Sequence, residues 1–383
     1  MRKVCVVITA RPSYSRIRTA LKAIKEHEEL ELQLVVAASA VLDRYGNAHE
    51  LIEADGFQID ARVLMVIEGE SLPAMAKSTG IGLIELSTAF DNLKPDIVVT
   101  IADRYETMAT AVAASYMNIP LVHIQGGEVT GSIDEKVRHA ITKLADQHLV
   151  SSEESAIRVK KMGEDNDAIH VTGCPSIDLA VDLLHDEELR FDPIKKYGGI
   201  GRLTEIDDGY IVVLQHPVTT EYQSSLNHIR ETCEAILNLN TPTLWFWPNV
   251  DAGSDGTSRG IRAFRDKYDP EKIRFFKNFE GIDFLKLIKN SKCLIGNSSV
   301  GIRESAFLGV PVVNIGSRQS GRQRGDNVVD VAHDASKIEG AVKSQMAHGS
   351  YPSQTIFGDG NGGVRIADCL ARMPLKYQKR ISY

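Results

Sequence analysis

Short runs built almost wholly from Val, Ile and Leu recur along this chain, each separated from the next by a longer amphipathic stretch. In the first half the runs are KVCVVIT, ELQLVVAA, DIVVTI, PLVHI and QHLV, with helical patterns beginning near Ser13, Asp43, Ala74, Tyr105, Asp134 and Glu153. Strands of that composition are buried on both faces, and the helices between them must lay their apolar stripes against the sheet. The alternation predicts an α/β fold with a doubly wound parallel sheet. Between Pro175 and Asp208 the pattern loosens into HDEELRFDPIKKYGGIGRLTEIDDG, where a domain connection is expected. YIVVLQ, TLWFWP, IRFF, KCLIG and PVVNI then predict a second sheet of the same kind, with one of its helices running from Ser299 to Leu308.

At roughly 150 residues per domain, 383 residues accommodate both sheets. Lys and Arg number 44 against 51 Asp and Glu, a net charge of −7, which lacks the basic footprint of a general nucleic-acid binder. The first apolar run ends at Arg11 without a signal-peptide cleavage pattern, and no run reaches the ~18 apolar residues that a membrane span needs. A cytoplasmic protein without membrane or nucleic-acid partners is expected. The five cysteines are dispersed and form no C-x-x-C, so they read as reduced thiols, and no His/Cys spacing suggests a metal site.

Open α/β sheets bind ligands beyond the carboxyl ends of their strands, so chemistry is sought in the segments that follow each run. GNSSVGIRE, residues 296–304, follows a strand and opens a helix with small and hydroxyl residues, a setting for a phosphate. Arg11, Arg104, His216, Arg318 and Arg322 hold comparable positions after strands, where cations neutralise a pyrophosphate. Neither a Walker motif nor G-x-G-x-x-G after the first strand is present, which leaves a nucleotide sugar as the favoured ligand. Asp103, Glu128 and Asp134 supply loop carboxylates for acid–base work at a sugar carbon, and Glu304 a carboxylate for ribose hydroxyls. Structural roles compete for several of these. Ser298 or Ser299 could cap a helix, Asp134 could be an N-cap, Glu304 could pair with Arg303, and His123 and His139 could be hydrogen-bonded core histidines.

In order and spacing, GGEVTGSIDEKVRHAITKLAD, TGCPS, LQHPVTT, PNVDAGS, IGNSSVGIRE, GSRQSGR and FGDGN resemble the hydrolysing UDP-N-acetylglucosamine 2-epimerases of sialic-acid and related nonulosonate biosynthesis. The resemblance implies a GT-B architecture, two Rossmann-like domains with an interdomain cleft: domain one over 1–175, domain two over 176–362, and a helix within 363–383 returning to the first. It implies loss of UDP from UDP-GlcNAc with removal of the C2 proton, a glycal-like intermediate, and addition of water to give N-acetylmannosamine. It implies no cofactor, no metal, and a homodimer or homotetramer. By matching position, Arg11, Arg104, Gly173, His216, Asn249, Ser298, Ser299, Glu304 and Arg318 are expected to bind the nucleotide diphosphate. Asp103, Asp134, His216, Glu128 and Gln125 are expected at the catalytic centre.

One departure matters. Animal-type members read HIEGGE where this chain reads HIQGGE, so an expected carboxylate is the amide of Gln125. An amide cannot accept that proton, and either Asp134, Asp103 or Glu128 carries the step or the sugar differs. The alternatives are the same reaction on a UDP- or GDP-linked 2,4-diacetamido-2,4,6-trideoxyhexose, a GT-B glycosyltransferase, and a non-catalytic nucleotide-sugar sensor.

Overall fold

The computed structural model describes residues 1–43, 48–67, 72–129, 133–184, 188–248, 254–376 and 378–382. The chain divides into two compact units, the first formed by Met1–Val129, Ile133–Leu179 and Phe357–Tyr383, the second built on Ala180–Ile356.

Unit 1 alternates strand and helix: β1 (Arg2–Ile8), α1 (Arg11–Glu26), β2 (Leu30–Ala37), α2 (Ala48–Ala54), β3 (Ala61–Val63), α3 (Leu72–Leu93) and β4 (Ile97–Ile101). There follow α4 (Thr107–Tyr116), β5 (Leu121–Ile124), α5 (Ile133–Leu144), β6 (Gln147–Val150), α6 (Glu153–Lys161), β7 (Ile169–Val171) and α7 (Pro175–Val181). The strands form one parallel sheet in the order β3-β2-β1-β4-β5-β6-β7. β1 shows why its sequence is continuously apolar. Val4, Val6 and Ile8 face Ile17, Leu21 and Ile24 of α1, whereas Cys5 and Val7 face the opposite side with Leu86 and Phe90 of α3. Each fully buried aliphatic side chain there contributes about 1.5–3 kcal/mol. Burial pushes the Cys5 thiol well above its usual range, so it packs as a small hydrophobe.

Unit 2 runs α8 (Pro193–Tyr197), β8 (Ile200–Gly201), β9 (Ile211–Leu214), α9 (Ser225–Leu239), β10 (Thr243–Phe246), α10 (Ser254–Tyr268) and β11 (Ile273–Phe276). It continues with α11 (Gly281–Lys289), β12 (Leu294–Gly296), α12 (Glu304–Leu308), β13 (Val312–Ile315), β14 (Val328–Val331) and α13 (Ala335–His348). Its sheet order is β14-β13-β12-β9-β10-β11-β8, parallel except for β8, which pairs antiparallel with β11. The last helix, α14 (Gly362–Arg372), belongs to unit 1 and lays Ile366 and Leu370 beside α1.

Chain order reverses in unit 1 between β1 and β4, and in unit 2 between β9 and β12. Such reversal points open a crevice at the strands' carboxyl ends. Two expectations need correction. The second sheet is not wholly parallel, because its outermost strand is the two-residue β8. The helix expected from Ser299 to Leu308 is broken into a 3-10 turn, Ser299–Gly301, and the short α12. Gly301 N donates to Ser298 O and Ile302 N to Ser299 O, i→i−3 bonds of a tighter turn that precede α12.

Candidate active site

At the reversal point of unit 1, the residues directly after β4 and β5 both leave the usual backbone basins: Ala102 has φ 64 and Gln125 φ 65. Non-glycine residues rarely hold this left-handed conformation and need local support. Ala102 N donates to Ile124 O and Gln125 N to Leu149 O, each at 3.0 Å. Fully buried His123 adds a bond of 2.8 Å between Nε2 and Ala102 O. A carbonyl only accepts, so Nε2 carries the proton, and Nδ1 accepts from Thr142 Oγ1 at 3.1 Å. Burial pushes this imidazole down to about 3, so it is the neutral core histidine that buttresses the turn presenting Asp103. His139 is instead a partner of Glu135 on α5, 2.8 Å away.

Asp103 and Glu128 converge on a residue the sequence reading did not single out. Arg138 of α5 is 1% exposed, ion-paired to Asp103, 3.2 Å from Glu128 Oε2, and donates to the Gln125 carbonyl at 3.2 Å. Glu128 Oε1 also accepts from Ser151 Oγ at 2.7 Å. One cation thus offsets two buried carboxylates from neighbouring strand ends, which without it would repel and lose solvation. Asp134 lies one turn earlier on α5, the second residue of the helix and half-buried. It is therefore not an N-cap, and its i, i+4 spacing puts it on the Arg138 side of the helix.

Gln125 is 1% exposed. Its Nε2 donates to Cys174 Sγ at 3.0 Å, and Sγ lies 3.0 Å from Ser176 Oγ, whereas Gln125 Oε1 has no hydrogen-bond partner. Gly173, just before Cys174, has φ 83, and a Cβ there would come within 3.1 Å of Gly358 Cα. The TGCPS and FGDGN segments thus meet backbone to backbone, with Cys174 N donating to Phe357 O at 2.6 Å. Asp178 then accepts from Gly362 N at 2.9 Å and Gly363 N at 2.7 Å, capping α14. Of the remaining unit 1 candidates, Arg11 opens α1, whose first turn carries no acidic residue and no side-chain cap. Arg104 pairs at 3.1 Å with Glu106, itself 1% exposed.

At the reversal point of unit 2, Asn297 ties the two central strands together. Its Oδ1 accepts from His216 N at 2.7 Å, and its Nδ2 donates to His216 O at 2.9 Å. The Asn297 carbonyl in turn accepts from Arg318 Nη1 at 3.1 Å and Gln319 Nε2 at 2.9 Å. Burial first, then the Arg318 charge, pushes His216 down to about 3, so at neutral pH it offers a neutral N–H and Arg318 provides the positive charge. Ser298 precedes the 3-10 turn without capping it, and Ser298 and Ser299 are both partly exposed. Glu304 is 8% exposed, and its Oε2 lacks a hydrogen-bond partner. Asn249 lies outside the described residues. Among the nucleotide candidates, His216, Ser298, Ser299, Glu304 and Arg318 belong to unit 2, and Arg11, Arg104 and Gly173 to unit 1.

Arg138 and Asn297 are the additions. Arg138 stands three residues before Ile141 and seven before Ala145, both buried, so a cation on the apolar stripe of α5 was the available signal. Asn297 was inside a motif already quoted, and only the bridge between β9 and β12 reveals its part.

The chain is 32% identical to the UDP-N,N'-diacetylbacillosamine 2-epimerase (hydrolyzing) of Legionella pneumophila over 384 aligned residues, covering 99% of this chain and 98% of that one. It is 36% identical to the polysialic acid biosynthesis protein P7 of Escherichia coli over 343 residues, 88% of this chain and 84% of that one. The crystal structure of the Neisseria meningitidis UDP-GlcNAc 2-epimerase bound to UDP-GlcNAc superposes with a TM-score of 0.77 at 18% identity, covering 96% of this chain and 99% of that one. Residues 22–371, most of the chain, match the family model for UDP-N-acetylglucosamine 2-epimerase, so the chain belongs to that family.

Proposed function

We propose that this protein is a hydrolysing nucleotide-sugar 2-epimerase that converts UDP-GlcNAc and water to N-acetylmannosamine and UDP. The observation that carries the reading is the set of carboxylates around Arg138 beside two strained strand ends, a fixed acid–base apparatus. Unit 2 receives the nucleotide: Arg318 and the neutral His216 face the diphosphate, Ser298 and Ser299 donate hydroxyls to it, and Glu304 Oε2 accepts from ribose. Asn249 is proposed as a further ligand by its matching position. In unit 1, Arg11 and Arg104 add positive charge, and Gly173 lets the backbone approach.

Asp103 and Glu128 are each engaged by Arg138. Asp134, on the Arg138 side of α5, is assigned the proton transfer at C2 by its matching position. The C2–H electron pair forms the C1–C2 double bond as the C1–O bond to UDP breaks, giving a glycal and a protonated Asp134. Water then adds its hydroxyl to C1 and yields its proton to the Asp103–Arg138–Glu128 group, which passes a proton to the opposite face of C2, and Asp134 releases its own proton to solvent as the products leave. Gln125, a neutral amide with an unused acceptor, takes no proton and instead accepts an acetamido N–H of the sugar.

Incubation with UDP-GlcNAc in deuterium oxide, followed by NMR, tests this. UDP with N-acetylmannosamine deuterated at C2 is expected. UDP-ManNAc without free sugar would make the enzyme non-hydrolysing, UDP release only with an acceptor sugar would make it a transferase, and binding without turnover would make it a sensor. The Legionella relative favours a second reading, the same reaction on UDP-N,N'-diacetylbacillosamine. A kcat/KM for that sugar far above the one for UDP-GlcNAc would establish it.

A further inference from the structure

We propose that Glu221, His228 and His333 of unit 2 form a binding site for a divalent cation of the zinc class. Each offers one ligand atom, and the three atoms lie within 4.8 Å of one another, the one such group of three among the described residues. Glu221 comes from the turn after β9, His228 from α9 and His333 from the segment after β14.

Three features single this cluster out from a chance grouping. Both ring nitrogens of His333 are buried without a hydrogen-bond partner, an arrangement that folded proteins avoid unless a ligand or water completes it. The chain makes room for that ring: Gly316 has φ 75, and a Cβ there would lie 2.2 Å from His333 Nε2. The carboxylate is already oriented, because Glu221 Oε1 accepts from Ser317 Oγ while Oε2 faces His228 Nδ1 at 3.8 Å. A carboxylate held by an outer hydrogen bond is the usual support of a metal ligand.

Two imidazoles and one carboxylate suit zinc or a neighbouring transition ion rather than magnesium or calcium, which favour all-oxygen shells. The His228 and His333 rings are stacked, with centroids 3.7 Å apart and planes within 1°. Their in-plane lone pairs do not yet converge, so binding turns one ring out of the stack. His228 and Glu221 have the freedom to follow, their side chains being 21% and 38% exposed, which also gives the ion its entry. Three protein ligands with water in the fourth position complete a tetrahedral shell. Ser317 neighbours Arg318, so the ion would brace the loop that carries the Arg318 guanidinium.

The full chain, stripped with chelator and dialysed, is titrated with Zn2+ against a chromophoric competitor, and with Co2+ by visible absorption. One equivalent is expected, with cobalt d–d bands and a Zn2+-dependent rise in the thermal midpoint. His333→Ala and His228→Ala should each lose the equivalent and the bands. Glu221→Gln, which keeps the side-chain volume, should weaken binding sharply and serves where an alanine variant fails to fold. Ser317→Ala should weaken binding about 10–100-fold with stoichiometry retained. Absence of stoichiometric binding, or the same affinity and bands in Glu221→Gln and the histidine variants, would overturn the proposal.

Discussion

The two sheets reverse chain order in the same way, yet the residues placed at the two reversal points differ in kind. In unit 1 the strand ends carry largely buried carboxylates, Asp103 and Glu128, held on Arg138. In unit 2 they carry a neutral side-chain and backbone network, Asn297 with His216, and a cation at its margin, Arg318. One topology thus presents paired carboxylates at one sheet and a neutral network with a cation at the other, the setting proposed for proton chemistry and for anion binding, and the difference resides in the few residues after the strands.

Substitutions should separate those roles. Asp134→Asn should have the largest effect, lowering kcat about 10²–10⁴-fold, the range typical for loss of a general acid or base, with UDP affinity kept in calorimetry. A kcat within threefold of the parent would move proton transfer to another carboxylate. Arg138→Met should lower the unfolding free energy by about 3–5 kcal/mol in urea, because it leaves two buried carboxylates facing each other. Adding Asp103→Asn and Glu128→Gln to that variant should restore part of the loss, and no recovery would mean that Arg138 acts through packing alone. Arg318→Met should show the opposite signature. UDP binding weakens by about 1.5–3 kcal/mol, the worth of a charge-assisted hydrogen bond, while the urea midpoint shifts little.

A further effect is one of pH. His123 and His216 are pushed down to about 3 by burial, whereas an unfolded histidine titrates near 6.5. Between those values the unfolded chain binds the extra protons, so stability falls as pH drops below about 6.5. The slope is up to about 1.4 kcal/mol per pH unit for each imidazole. A urea midpoint unchanged between about pH 6.5 and 5 would contradict neutral burial of both.

Much of the fold was legible because continuous Val/Ile runs have few other destinations than the middle of a parallel sheet. The strands missed were β3, β7, β8 and β14, whose sequences ARV, IHV, IG and VVDV are short and only partly buried. Edge pairing of that sort is decided by neighbours and leaves little hydrophobic pattern. In the candidate site, Asp103, Gln125 and Glu128 could be found by looking after apolar runs. Arg138 could not, since its helix contributes it to a buried group assembled from two other strand ends. The Glu221, His228 and His333 cluster was equally hidden, as His333 lies about a hundred residues beyond Glu221 and His228 and meets them only through the arrangement of β9, α9 and β14.

The capping of α14 by Asp178 has a consequence for biosynthesis. Every strand of unit 1 has been translated by Val171, but α1 and one face of β1 still lack Ile366 and Leu370, which are made only after all of unit 2. The first unit to emerge from the ribosome is therefore the last to close. Until the C-terminal helix arrives, its apolar groove is open to chaperones or to the wrong neighbour, so ribosome-bound chains halted before Gly362 should expose it to protease while unit 2 is already protected.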